Sequence, residues 1–199
     1  MTSQVLLAFV LFSFSIAMVP GAGNIALLGM SNRFGVSATL PFIAGNTVGV
    51  ILIILAASAG LVGVMHLYPT IFSMLKWLGT AYLIYLAWTI ITLNVEDEIT
   101  DNHAGFGSGI LIQLLNPKGY IISLTIFSQF ISDTAAYLPQ VALMTTIMAL
   151  TGAFGMVLWA YFGTMLQRVI QSPGATKAVN GLLGGSLAIV AIMMAVQPL

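Results

Sequence analysis

Long apolar runs separated by short polar interruptions fill the 199-residue chain, and each run is about as long as one bilayer crossing. A helical span needs roughly 20 apolar residues. Charges and prolines divide the sequence into six such stretches, at about residues 4–30, 41–65, 71–93, 105–131, 139–166 and 178–196. Ser31-Asn32-Arg33-Phe34-Gly35 is the first expected loop, and the turn His66-Leu67-Tyr68-Pro69 precedes the third span. Asn94 to His103, with Glu96, Asp97, Glu98 and Asp101, is the one markedly polar stretch. Ser132-Asp133-Thr134 ends the fourth span, and Gln167 to Lys177 is the last sizeable loop. The pattern predicts an all-α integral membrane protein, one transmembrane domain of six helices with no room for a soluble domain.

Two of the runs are broken from within. The first carries Pro20-Gly21-Ala22-Gly23-Asn24 in an otherwise apolar segment, and the fourth carries Gln113-Leu114-Leu115-Asn116-Pro117-Lys118-Gly119. Irregular backbone survives in lipid only when buried in protein or lining a polar cavity. The two breaks are therefore expected to face each other at one site. Six spans form two sets of three, and two similar three-helix halves must insert with opposite orientation, the inverted-repeat plan of many transporters. Each half begins with a proline-broken span and follows it with a glycine pair, Gly45 and Gly49 or Gly152 and Gly155. Gly45-x-x-x-Gly49 and Gly181-x-x-x-Gly185 also fit close helix packing.

Composition narrows the class. The chain is 59% hydrophobic and 5% charged, with a mean hydropathy of +1.07, whereas soluble domains carry about 25% charged residues. Zero net charge and the lack of any basic run argue against a nucleic-acid partner. Cysteine is absent, which removes disulfides and thiolate metal sites. No positive charge precedes Arg33, so the first run is expected to be a retained span rather than a signal peptide. Arg33, Arg168 and Lys177 fall in the loops after spans 1 and 5, which places those loops in the cytoplasm and both termini outside.

Lys118 is the sharpest candidate. It stands about a dozen residues into its span, roughly 18 Å along a helix at 1.5 Å per residue, where a lysine costs about 2.5–3.5 kcal/mol. Pro117 lacks an N–H and frees the carbonyl of Gln113. Two readings fit: Lys118 binds freed carbonyls and pins two helices, or it serves a substrate or a proton. Pro20, Gly21, Gly23 and Asn24 have two readings as well, a proline kink with packing glycines or a half-helix beginning at membrane depth. In the second, free N–H groups and the positive dipole end suit a carboxylate. Asn24, Gln113 and Asn116 supply amide oxygens for a cation, so a zwitterion such as an amino acid matches the set. No carboxylate lies deep in any span, which leaves Lys118 as the proton-coupling candidate. Tyr82, Tyr85 and Trp88 fit packing or an interfacial belt better than a cavity wall. A metal site at the acidic stretch is disfavoured, since His103 is its one nitrogen ligand. No cofactor is implied, and no activated nucleophile or acid–base pair supports an enzyme.

The same residues resemble a known family. Met18-Val19-Pro20-Gly21-Ala22-Gly23-Asn24 is similar to the first-span signature of the LysE/RhtB family of amino-acid exporters. So are Phe34-Gly35 followed by Gly45-Asn46-Thr47-Val48-Gly49, the stretch Trp77 to Trp88, and Gly107 to Gly119. The resemblance covers almost the whole chain and looks closer to the RhtB-like branch, with its homoserine/threonine and cysteine/O-acetylserine exporters. It implies a proton-driven carrier of the bacterial inner membrane, with Pro20, Gly21, Gly23, Asn24, Gln113, Asn116, Pro117 and Lys118 around a small neutral amino acid. Ala22 and Gly23 depart from the family's usual second proline and Asn or Asp. A channel or carrier for another small solute or ion is the alternative. The expected partners are that solute and the lipid bilayer, with a homodimer left open.

Overall fold

A computed structural model describes residues 3–19, 21–60, 69–92, 105–132, 135–169 and 173–196. These form α1 (Ser3–Met18), α2 (Ala22–Ser58), α3 (Pro69–Thr92), α4 (Phe106–Leu114), α5 (Pro117–Gln129), α6 (Tyr137–Val169) and α7 (Pro173–Val196), with no strand among the described residues. Ala22–Ser58 and Tyr137–Leu166 are each long and apolar enough to cross a bilayer. Phe106–Leu114 and Pro117–Phe127 meet at a 63° bend and qualify together, as one broken span or a re-entrant pair. These apolar helices are those of a membrane protein.

Helix α2 is the hub: it packs most extensively against α6, then against α4, and it touches α3, α5 and α7 as well. Its two arms, residues 22–34 and 36–58, join at Gly35, whose φ of 80° is reached readily only without a side chain. The loop expected over residues 31–35 is thus a single residue. Ser31 and Asn32 are buried, and the Asn32 Oδ1 has no hydrogen-bond partner among the described residues. Ser31 donates its hydroxyl to the Leu28 carbonyl, and the Ser31 carbonyl accepts from Thr164 of α6. Pro41 lies inside the second arm rather than opening it.

Glycines set how closely the helices approach. A Cβ on Gly109 of α4 would collide with the Phe42 carbonyl and stand 2.7 Å from the Asn46 nitrogen. A Cβ on Gly45 would collide with the Phe106 carbonyl, and one on Gly49 would stand 2.7 Å from Gln113 Cβ. The second arm of α2 and α4 therefore touch backbone to backbone. In α7 the expectation fails among the described residues: Cβ atoms at Gly181 and Gly185 would meet none of them, and Gly184 is the residue pressed against Ala87 and Ile91 of α3. One helical face presents Gly184, and the i, i+4 pair does not share it.

The buried side chains form two clusters. One joins Ala26, Leu27 and Met30 of α2 to Leu83, Met156, Ala160 and Leu187. The other gathers Phe9, Ile54, Ile126, Met144 and Met148, with Phe9 and Phe130 edge to face at 5.1 Å. Met148 and Met156 lie on the same helix, and the space between the clusters at that level is a cavity.

Candidate functional site

Both helix breaks open onto this cavity, whose volume is about 110 Å³. One water needs only roughly 10–15 Å³, so the space suits a small molecule. Gly21, Gly23, Asn24, Gln113, Asn116 and Lys118 all line it. Pro117, also expected at the site, is buried and starts α5, where its missing N–H costs nothing. Pro20 lies outside the described residues, as do His66, His103, Asp133 and the acidic stretch Glu96 to Asp101.

At the first break α1 ends at Met18 and α2 begins at Ala22, with Gly21 in an extended N-cap conformation. Glycine offers no side chain, so this helix start has no side-chain cap. Asn24 spans the break instead, donating its amide to the Ala17 and Val19 carbonyls, each at 3.2 Å. Those carbonyls lie in the last turn of α1 and just beyond it, where intrahelical donors run out. Ile25 N–H reaches back to the Gly21 carbonyl at 2.9 Å, while Gly23 and Asn24 of the first turn of α2 line the cavity.

The second break is closed by its own residues. Asn116 caps α5 by accepting from the Lys118 N–H at 3.1 Å. The Gln113 carbonyl freed by Pro117 accepts from the Asn116 N–H at 3.1 Å. The Leu114 carbonyl accepts from the Tyr120 hydroxyl at 2.7 Å. These bonds remove the task of pinning the freed Gln113 carbonyl from Lys118. Its Nζ has no hydrogen-bond partner among the described residues. It points toward the other break, 3.6 Å from where a Cβ on Gly21 would stand.

Among the described residues, the charge at the cavity is that of Lys118 alone. Lys118 occupies the first turn of α5, where a helix dipole disfavours a cation, and it faces the uncapped N-terminus of α2. All five acidic residues of the chain lie outside the described residues, so no carboxylate among the described residues answers it. The wall also carries amides: Asn46 donates to Gln113 Oε1 at 3.5 Å, and its Nδ2 stands 3.4 Å from a Cβ on Gly23. Asn46 was not foreseen as a site residue, although a lone amide between two glycines in an apolar run was a usable signal. Ser13, Ser123, Gly152 and Met156 also line the cavity unforeseen. Tyr82, Tyr85 and Trp88 do not line it; Tyr85 and Trp88 are exposed on the outer face of α3. No group of three metal-ligating side chains occurs among the described residues.

An apolar helical chain with two facing helix breaks around a polar, positively charged cavity is built as a membrane translocator, and the comparisons agree. A family model for the LysE type translocator matches residues 14–198. The cysteine/O-acetylserine efflux protein of Salmonella paratyphi A is 30% identical over 175 residues, covering 87% of this chain and 90% of that protein. Its counterpart in Salmonella typhi gives the same figures, and that of Escherichia coli O1:K1 is 29% identical with the same coverage. No solved structure gives a significant match. The chain belongs to the LysE type translocator family; it is a bacterial membrane transporter and not an enzyme.

Proposed function

We propose that this chain exports a small neutral amino acid or amino-acid derivative from the cytoplasm, holding it as a zwitterion between the two breaks. The observation that carries the reading is the Lys118 ammonium, unpartnered among the described residues and 3.6 Å from the Cβ position of Gly21 at the uncapped start of α2. A carboxylate there gains a charge-assisted hydrogen bond and the N–H groups of a half-helix, as anionic substrates do at discontinuous transporter helices. The substrate ammonium finds the amide oxygens of Asn24 and Asn116 on the same cavity. The amino-acid derivatives in the names of the efflux relatives carry both groups.

Alternating access then amounts to changing which side of the bilayer reaches the two breaks, with two inverted three-helix halves moving against each other in the inner membrane. Lys118 is the titratable side chain on the cavity wall, and in this reading it couples export to the proton gradient. Both termini lie on the outer side, so a C-terminal alkaline phosphatase fusion is active and a C-terminal green fluorescent protein fusion is dark.

The deciding experiment is efflux from proteoliposomes preloaded with cysteine, O-acetylserine and a panel of other radiolabelled amino acids, with and without a pH gradient. Selective, saturable, gradient-dependent loss of one or two small neutral members supports the reading. Unsaturable flux points to a channel. No amino-acid movement through folded protein moves the assignment to another solute.

A further inference from the structure

Of the glycines on the cavity wall, Gly119 would be crowded by a Cβ, Gly21 and Gly23 would make ordinary contacts, and Gly152 stands apart. A Cβ on Gly21 would touch Lys118 Nζ at 3.6 Å, one on Gly23 would touch Asn46 Nδ2 at 3.4 Å, and one on Gly119 would crowd Gln113 Nε2 at 2.9 Å. A Cβ on Gly152 would meet no described residue within 4 Å, although Gly152 lines the cavity. Gly155, three residues on, points elsewhere: its Cβ would crowd Ala17 and Met18 of α1 at 2.9 and 3.0 Å. Packing thus accounts for Gly155 and leaves Gly152 unexplained. Glycine is among the poorest helix formers, and Gly152 lies deep inside α6 with a φ that any residue adopts. The missing side chain has left room for something.

The surroundings indicate what fills it. Met148, Gly152 and Met156 recur every four residues on one face of α6 and line the cavity together. The two thioethers are buried, uncharged and adaptable in shape. Met156 Cε comes within 4.0 Å of a Cβ on Gly23, which sets this compartment beside the start of α2, where the carboxylate is held in the proposed reading. We propose that Gly152, between Met148 and Met156, is the specificity-determining position. It opens the compartment for the uncharged side chain of the transported amino acid, and its lack of a side chain sets the largest one carried. This inference rests on the amino-acid reading above.

Two measurements test it. Proteoliposomes of wild type, Gly152→Ala and Gly152→Leu are loaded with radiolabelled alanine, serine, threonine and leucine, and the flux ratios are compared. The ratio of the largest carried amino acid to the smallest falls stepwise, by at least tenfold in Gly152→Leu. Equal loss for every amino acid, or unchanged ratios, overturns the proposal. Alanine replaces glycine favourably in a helix, so Gly152→Ala remains informative if the leucine variant fails to fold. Gly152→Cys then gives this cysteine-free chain its one thiol. Its labelling by a methanethiosulfonate reagent is slowed by carried amino acids, more so as their side chains lengthen, while labelling of Leu150→Cys on the exposed face of α6 is not. Labelling of Gly152→Cys that carried amino acids leave unchanged also overturns it. Wild type that moves no amino acid sinks the underlying reading; wild type that does, with unaltered selectivity in the variants, sinks this inference alone.

Discussion

Asn24 donates its amide to two carbonyls at the end of α1 and lines the cavity, so one side chain both closes the first break and borders the site. Asn24→Ala leaves the Ala17 and Val19 carbonyls short of a donor, which costs about 1–3 kcal/mol. Thermal unfolding in detergent reads that loss, and substrate affinity weakens alongside it. Lys118→Met separates the two effects, because methionine fills similar space without charge. Folding and insertion survive, while loss of a charge-assisted hydrogen bond worth about 1.5–3 kcal/mol lowers flux by roughly 10- to 100-fold. Undiminished gradient-driven flux removes Lys118 from the mechanism. These polar residues were legible in the sequence because lipid penalises each of them, and only a shared site rewards their presence. Gly152 and Gly155 were not separable there: they are the same residue three positions apart, and their difference is the direction each faces.

At the scale of elements, the second arm of α2 and α4 meet backbone to backbone at Gly45 and Gly109. Gly109→Ala forces a methyl group into the Phe42 carbonyl, at a cost of about 1–3 kcal/mol. Gly107→Ala, two residues earlier and with no described residue near its Cβ, is neutral or stabilising by up to about 1 kcal/mol. Unfolding of the two variants side by side checks the geometry, and equal stabilities contradict it. Asn116→Ala removes the cap of α5 and costs about 0.5–2 kcal/mol. Both breaks could be read from Pro20-Gly21 and Asn116-Pro117, where a glycine or a capping amide stands beside the proline, whereas Pro41, between Leu40 and Phe42, lies inside an unbroken arm. The polar tripeptide Ser31-Asn32-Arg33 misled because it has the composition of a loop. Contact with α6 at Thr164 supplied the packing that composition alone cannot report.

For the molecule as a whole, α2 gathers the other helices, and the two break sites meet in the cavity between the hydrophobic clusters. The pair α3 and α7 packs mainly on itself and turns Trp77, Trp88, Leu182 and Ile189 outward. In a membrane protein such an apolar exterior is the lipid-facing surface. That the breaks converge follows from the rule on irregular backbone in lipid. Which wall stands opposite them does not, because the spacing of glycines along α6 carries no record of its neighbours.

The bent pair α4 and α5 has a further consequence, for how the chain enters the bilayer during synthesis. Nine and thirteen residues are each too short to be recognised as a crossing of roughly 20, so the arms must be accepted together or not at all. On insertion scales a central lysine costs about 2.5–3.5 kcal/mol, and each Ile, Leu or Phe returns about 0.3–0.6. Half a dozen apolar residues therefore do no more than balance Lys118. Ile121 and Leu124, exposed on α5 and absent from the cavity wall, belong to that counterweight. Replacing both with serine lowers the fraction of chains that insert, as glycosylation mapping in microsomes reports, while flux per inserted molecule holds. The lysine that gives the site its charge thus makes its own delivery to the membrane depend on side chains that never meet the cargo.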